Sequence, residues 1–370
     1  VKTRAAVLWE YGQDWRLEEL ELDDPGEGEV LVKLAATGLC QSDEHVRTGE
    51  LPFDALPVIG GHEGAGVIEK VGPGVTTLAV GDHVVLSFIP ACGRCESCAT
   101  GHQNLCDEGA GIGVGLQRDG TSRHHVNGHD ARLMCMLGTF SPYTVVRETS
   151  VVKIRDDVPL DKAALVGCGV TTGWATAVYA AGVKPGDTVA VLGIGGVGAN
   201  AVQGAAMAGA KQILAIDPSE FNREEARRFG ATHTFASAAE AREALPGLTW
   251  GRMADSALIT VDVATGEVVG DALSLVGKRG TVVLTSLADV TDTTITAPMF
   301  EITAYEKRLV GALFGSANPR YDIPRLLDLY MDGELKLDEL VTRTYEFEDI
   351  NQGYVDMREH RNIRGMVLFD

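Results

Sequence analysis

Basic residues are scarce in this sequence: 32 Lys and Arg stand against 52 Asp and Glu in 370 residues, a formal net charge of -20. Binding to nucleic-acid backbones or anionic lipid needs a concentrated basic patch, and no run of Lys or Arg supplies one. The acidic surplus reads as a solvated outer face. Long apolar runs are also missing. No stretch reaches the roughly 18 consecutive apolar residues of a membrane span, and the opening VKTRAAVLWEYG lacks an apolar segment followed by a small-residue cleavage site. The expected setting is the cytoplasm, with no nucleic-acid or membrane partner. Cysteine is sparse as well, seven in all, far below the density of a secreted disulfide scaffold. Yet Cys92, Cys95, Cys98 and Cys106 crowd into one short stretch, which asks for a metal.

The length, with 45% hydrophobic content, suits two cores of moderate size, hence two domains. In the first half VLVKLAATGL, GVIEKVGPGV and GDHVVLSF are alternating or β-branched and punctuated by Gly or Pro, predicting an irregular, mostly antiparallel β domain. The character changes near Thr171, where TTGWATAVYAAG has helical spacing. Strand and helix then alternate through VAVLG, NAVQGAAMAGA, ILAID, FNREEARRFGA, THTF, LITVDVAT, TVVLTSL and LVGALFG. That alternation predicts a parallel sheet covered by helices. The remaining segment reads as β-like pieces ending in RGMVLF, as if the chain returns to its first domain.

Gly193, Gly195, Gly196 and Gly198 form GIGGVG between an apolar strand and a helix of small residues. The string alone is weak; its place between strand and helix is what suggests a dinucleotide site. The first glycine makes the turn, the second lets backbone approach a pyrophosphate, and the last lets helix and strand pack closely. The N–H groups of Val197 and its neighbours at the helix start would face the phosphates. Asp217, nineteen residues past Gly198, stands where an acid accepts bonds from the adenosine ribose and repels a 2′-phosphate. NAD is favoured over NADP, although Arg223, Arg227 and Arg228 lie nearby. An ordinary helix-capping Asp is the plainer alternative.

The spacing C-x2-C-x2-C-x7-C of Cys92, Cys95, Cys98 and Cys106 lets one loop fold four sulfurs around an ion, a closed and therefore structural shell. An iron–sulfur cluster uses the same ligation, but the nicotinamide already accounts for the redox work, which favours zinc. Cys40 in GLCQSDEH, His62 with Glu63 in GGHEGAG, and Cys168 in LVGCGVTTG are too scattered to signal metal by spacing, and burial unpaired is the commoner fate of such cysteines. Each sits in a Gly-rich turn beside polar side chains. Two thiolates, one imidazole and a vacant position would make an open catalytic zinc site. Cys135 reads as a free core cysteine, and His102, His124, His125 and His129 as loop histidines without a role.

Taken in order, GLCQSDEH, GGHEGAGVIEKVGPGV, the four-cysteine loop, GCGVTTG and GIGGVG resemble the zinc-containing alcohol dehydrogenases of the medium-chain dehydrogenase/reductase superfamily over nearly the whole chain. The resemblance implies an α/β protein. A GroES-like, mostly-β catalytic domain would span 1–169 and 314–370, and a Rossmann doubly wound coenzyme domain 170–313, with a cleft between them. It makes Cys40, His62 and Cys168 the catalytic zinc ligands and the four clustered cysteines the structural ones. Zinc, two per chain, and NAD are the implied cofactors. Glu63 would be a transient or outer ligand, and Asp43 would fix the tautomer of His62. Ser42 would touch the alcohol and pass its proton through the ribose hydroxyls to a solvent-facing His45; an ordinary exposed loop histidine is the plainer reading of that residue. Thr172 and Arg364 would join the cofactor contacts, the latter at the pyrophosphate. The metal would draw the hydroxyl pKa toward neutrality, and hydride would pass to the nicotinamide.

TFSPYTVV after a long loop resembles the branch of liver and thiol-dependent formaldehyde dehydrogenases. GSANPRYDIPRLL with KLDELVTRTY resembles the nicotinoproteins assayed with N,N-dimethyl-4-nitrosoaniline, in which NAD stays bound and an external electron acceptor reoxidises it. Two residues depart from the pattern. Gln41 stands where relatives place Arg or His on the pyrophosphate, and Leu51 where glutathione-dependent enzymes place an acid. The resemblance further implies a dimer or tetramer acting on a primary or secondary alcohol or its carbonyl product. Competing readings are a thiol-adduct formaldehyde dehydrogenase and, in another class, a non-catalytic zinc-stabilised NAD-binding redox sensor.

Overall fold

A computed structural model describes residues 1–288 and 291–369. The chain forms two compact units, Val1–Cys168 with Asn318–Asp370, and Gly169–Ala317.

In the first unit a seven-stranded sheet is built around Glu29–Leu39, whose run EVLVKLAATGL is buried nearly throughout because both faces are covered. Gly64–Val71, Tyr143–Arg147 and Arg364–Leu368 pair with it antiparallel, and Val341–Tyr345 adds in parallel beyond the last of these. Gly365 stands opposite Leu39 and Leu368 opposite Ala36, so the end of the chain is woven into the sheet of its beginning. A six-stranded sheet centred on Lys2–Leu8 and Arg16–Leu22 packs beside it. Trp15, Phe140 and Tyr354 meet edge to face in the core, with ring centroids 5.5 and 6.2 Å apart. Burial of each such ring contributes roughly 1.5–3 kcal/mol or more.

The second unit is a parallel sheet in the order His233–Phe235, Gln212–Ile216, Thr188–Leu192, Ala254–Ile259, Val276–Leu284, Arg308–Gly311. Chain order reverses on either side of Thr188–Leu192, as in a doubly wound dinucleotide fold. Its strands are apolar without alternation; TVAVL of Thr188–Leu192 is buried at every position. Ser219, Ser237 and Thr265 start three of the covering helices, each side chain accepting the backbone N–H three residues on, a cap contributing about 1 kcal/mol.

The structure corrects several expectations. The segment after Asn318 is not a series of β-like pieces, because helices Pro319–Met331 and Ile350–Arg358 alternate with its strands. Ile323, Leu326 and Leu327 recur at helical spacing and are buried, which decides the conformation. LITVDVAT divides into two strands, Ala254–Ile259 and Val263–Ala264. His124 is a core residue in a strand, its Nε2 accepting the Val145 N–H at 3.3 Å. Burial pushes its pKa down to about 3, so it stays neutral. His125 lies between Asp23 and Asp130. Among the described residues no single helix is long and apolar enough to cross a membrane.

Candidate active site and metal centres

Cys40 directly follows the strand Glu29–Leu39 and is the N-cap of helix Gln41–Thr48, so it lies at a strand-to-helix junction rather than in a simple Gly-rich turn. The antiparallel register sets Thr37 opposite Gly64, and the Gly38 N–H donates to the Glu63 carbonyl at 2.8 Å. That pairing delivers His62 and Glu63 beside Cys40. Cys168 arrives from the short turn Ala164–Gly167. Side-chain ligand atoms of Cys40, His62, Glu63 and Cys168 all lie within 4.8 Å of one another, and all four residues are buried.

Asp43 holds the imidazole from behind. Its Oδ1 lies 3.1 Å from His62 Nδ1 and accepts the Gly61 N–H at 2.9 Å, which leaves His62 Nε2 as the ring's ligand atom. Burial opposes charge on the His62 ring, but the Asp43 and Cys40 charges outweigh it and raise its pKa well above normal. A hydrogen bond from Cys168 holds the Cys40 thiol well below its ordinary pKa, while that same bond and burial push Cys168 well above. Burial lifts Glu63 to about 7 against the opposing Arg364 charge. Arg364 directs Nη2 at Glu63 Oε2, pairing this guanidinium with a buried carboxylate. Its Nε is buried without a partner.

The loop Cys92–Cys106 contains a one-turn helix, Glu96–Ala99, and a short 3-10 turn, Gln103–Leu105, and closes on its own sulfurs. Cys92 Sγ accepts N–H groups from Arg94 and Cys95, Cys95 Sγ accepts from Cys98, and Cys106 Sγ accepts from Cys92. Cys135 is buried apart from both clusters, its thiol raised to about 12 by burial.

In the second unit Gly193 takes φ +89 and Gly195 precedes helix Gly196–Met207 with no side-chain cap. Asp217 Oδ2 accepts the Ile194 N–H at 2.7 Å and Oδ1 accepts the Ser219 N–H at 2.8 Å, so this acid shapes the glycine turn from below. Arg223 is tied to the Asp217 and Pro218 carbonyls. Thr172, in helix Gly169–Ala175, has a buried hydroxyl with no partner.

Comparison with known proteins settles the family. The chain is 56% identical over 368 residues to the NDMA-dependent alcohol dehydrogenase of Amycolatopsis methanolica, covering 100% of this chain and 99% of that protein. It belongs to the zinc-containing alcohol dehydrogenases of the medium-chain dehydrogenase/reductase superfamily. Residues 26–156 match the alcohol dehydrogenase GroES-like domain and 196–332 the zinc-binding dehydrogenase family. A crystal structure of benzyl alcohol dehydrogenase from Acinetobacter calcoaceticus superposes with a TM-score of 0.93 at 32% identity, over 100% of each chain. The S-(hydroxymethyl)glutathione dehydrogenase of Paracoccus denitrificans is more distant, at 36% identity over 100% of each chain. This enzyme is therefore an alcohol dehydrogenase that uses zinc and NAD on small-molecule alcohols, and the non-catalytic reading falls away.

The dehydrogenase carries donor sets that fit both cofactors. Four sulfurs around zinc at ~2.3 Å stand about 3.8 Å apart; here Cys92 and Cys98 sulfurs are 3.9 Å apart, and those of Cys95 and Cys106 4.0 Å. The second set offers two sulfurs, an imidazole and a carboxylate, the mixture an open zinc site uses. For NAD, a Cβ at Gly195 would meet nothing within 4 Å, whereas one at Gly198 would lie 1.9 Å from the Gly193 carbonyl oxygen. Gly198→Ala is accordingly expected to destabilise the second unit by about 1–3 kcal/mol through overpacking. Gly195→Ala should keep the melting temperature but weaken NAD binding about tenfold, by intruding where a phosphate approaches. Thermal melts with NAD titration check both.

Sequence reasoning expected a solvent-facing His45, but its side chain is only 6% exposed, inside helix Gln41–Thr48, with Nδ1 on Glu50. Ser42 is half-buried, its hydroxyl 3.9 Å from Cys40 Sγ. Two neighbours escaped notice altogether, Glu50 and Phe88, whose ring stands edge-on to His62 at 6.1 Å. No motif marks either; their positions follow from a turn and from sheet packing.

Proposed function

We propose that the first unit carries the chemistry of alcohol oxidation and that residues 169–317 hold NAD. The observation that carries this reading is the buried gathering of Cys40, His62, Glu63 and Cys168. Cys40, Cys168 and His62 Nε2 hold the catalytic zinc, while Cys92, Cys95, Cys98 and Cys106 hold the structural one. When bound, the catalytic zinc supplies a Lewis acid that lowers the alcohol's pKa, and NAD supplies the hydride acceptor. Asp43 keeps His62 in the tautomer that presents Nε2. The Arg364 guanidinium competes for the Glu63 carboxylate, which makes Glu63 a transient ligand and leaves one position for the substrate oxygen. Ser42 receives the substrate's proton and His45 moves it outward. Gly193, Gly195, Gly196, Val197 and Gly198 cradle the pyrophosphate, Thr172 lends its unpaired hydroxyl to the cofactor, and Asp217, whose Oδ2 accepts from Ile194 and Asn222 and whose Oδ1 accepts from Ser219, uses its remaining Oδ1 lone pair for the ribose.

We further propose that NAD stays bound between turnovers and is reoxidised in place by an external electron acceptor in the cytoplasm. The support is the 56% identity to an enzyme named for NDMA dependence. Acid denaturation of the purified protein should release about one NAD or NADH per chain, assayed chromatographically. Protein that yields none and turns over only with added NAD would overturn retention while leaving the zinc roles intact. The edge strand Arg308–Gly311 is exposed along its length, near Met299 at 81% and Phe300 at 78% exposure. An unprotected edge of this kind suits pairing with a second copy. Sedimentation should give at least a dimer, and Val310→Lys should shift it toward monomer.

A further inference from the structure

The buried ring of His45 has a route to water. Its Nδ1 is hydrogen-bonded to the Glu50 carboxylate, which is 57% exposed while the His45 side chain is 6% exposed. The turn after helix Gln41–Thr48 builds this contact. Gly49 adopts left-handed backbone at φ +88 with its N–H on the Val46 carbonyl, and the Leu51 N–H returns to the His45 carbonyl at 3.0 Å. Glu50, between them, is folded back over the last helical turn. The other carboxylates of this segment are engaged elsewhere. Glu44 is held by Arg47 and Arg358, and Asp43 is committed to His62 and the Gly61 N–H.

We propose that Glu50 is a positioning residue of alcohol oxidation, orienting His45 and passing its proton to solvent. The inference rests on the role given to His45 above. Donation of Nδ1–H to Glu50 selects the tautomer whose Nε2 accepts a proton from the interior. His45 gains that proton at Nε2 and gives its Nδ1 proton to a Glu50 oxygen, which releases it to water; no electrons move along this path. Reduction of the external acceptor takes up a proton, and the same atoms run in reverse, which restores the Nδ1–H tautomer.

The test compares Glu50→Ala with His45→Gln in the full-length, zinc-loaded protein. Glu50→Ala should lower kcat about tenfold with KM changed less than about twofold, a smaller loss than the roughly hundredfold or greater loss expected for His45→Gln. Added formate should restore part of the Glu50→Ala rate and none of the His45→Gln rate. Nitrogen-15 NMR on histidine-labelled protein, with the His45 signal identified by its loss in His45→Gln, should show the Nδ1–H tautomer in the parent and a mixture in Glu50→Ala. An undiminished kcat in Glu50→Ala beside a slow His45→Gln would overturn the proposal and keep the relay through His45. A lowered rate that formate leaves unchanged, or an Nε2–H tautomer in the parent, would likewise overturn it. Full activity in both variants would instead overturn the reading of His45 itself.

Discussion

Cys40→Ala is expected to carry one zinc per chain instead of two and to oxidise alcohols at least about 10³-fold more slowly, because the Lewis acid contribution is lost with the metal. The site offers no substitute for the missing sulfur. Of the remaining ligand atoms, the Glu63 carboxylate is paired with Arg364, and Cys168 has lost the partner that shares its proton. The fold should tolerate this change, since a small apolar side chain replaces a buried thiol. His62→Ala should lose the same zinc and the same activity but also melt lower. Removing the imidazole leaves the fully buried Asp43 carboxylate with the Gly61 N–H as its one remaining partner of the two described above, and stranding a buried charge costs about 3–5 kcal/mol. Elemental analysis, steady-state rates and thermal melts on both variants check the pattern. Two zinc ions and unaltered turnover in Cys40→Ala would remove Cys40 from the catalytic centre.

How much of this was legible in the residues depends on how local each feature is. The four-cysteine loop could be read from spacing because its ligands lie within one turn-rich segment, and GIGGVG could be read because strand, turn and helix follow one another directly. Cys40 and His62 are joined by the pairing of Glu29–Leu39 with Gly64–Val71, and Cys168 joins them from the separate turn Ala164–Gly167, long-range relations that no spacing reveals; family resemblance had to supply them. His45 was misjudged for a related reason. Its burial depends on what packs over helix Gln41–Thr48, and its contact with Glu50 on the left-handed turn at Gly49. The helix Ala238–Thr249 was overlooked although Ser237 and Glu240 have the Ser-x-x-Glu spacing of a helix start, and Ser237 does accept the Glu240 N–H. The helix after Asn318 departs from the β-like reading of that segment, and Pro319 occupies its first turn, where its missing N–H costs nothing.

Cys98→Ala should produce the mirror image of the catalytic variant: again one zinc per chain, but a lowered melting temperature with turnover in the cold retained within about threefold. Cys92–Cys106 has almost no regular structure of its own, so its shape depends on the sulfurs and the N–H groups that point at them. Those N–H groups favour thiolate; donation from Arg94 and Cys95 overcomes burial and brings Cys92 to about 7, whereas burial takes Cys106 to about 12. A metal that turns all four into thiolates therefore stabilises a conformation the free thiols hold weakly, and apparent metal contributions of about 10–16 kcal/mol are known for zinc-organised loops. With three sulfurs that contribution falls, and the loop should open locally before the sheets do. Opening also releases the bond from the Gln103 N–H to Asn318, which anchors the loop to the start of the following helix at 2.8 Å. Limited proteolysis should cut Cys98→Ala between 92 and 106 while Cys40→Ala remains intact there. Because both variants lose the same amount of zinc, the metal count alone cannot explain opposite effects on turnover and melting. Loss of chemistry in Cys98→Ala with an unaltered melt would exchange the roles assigned to the two centres.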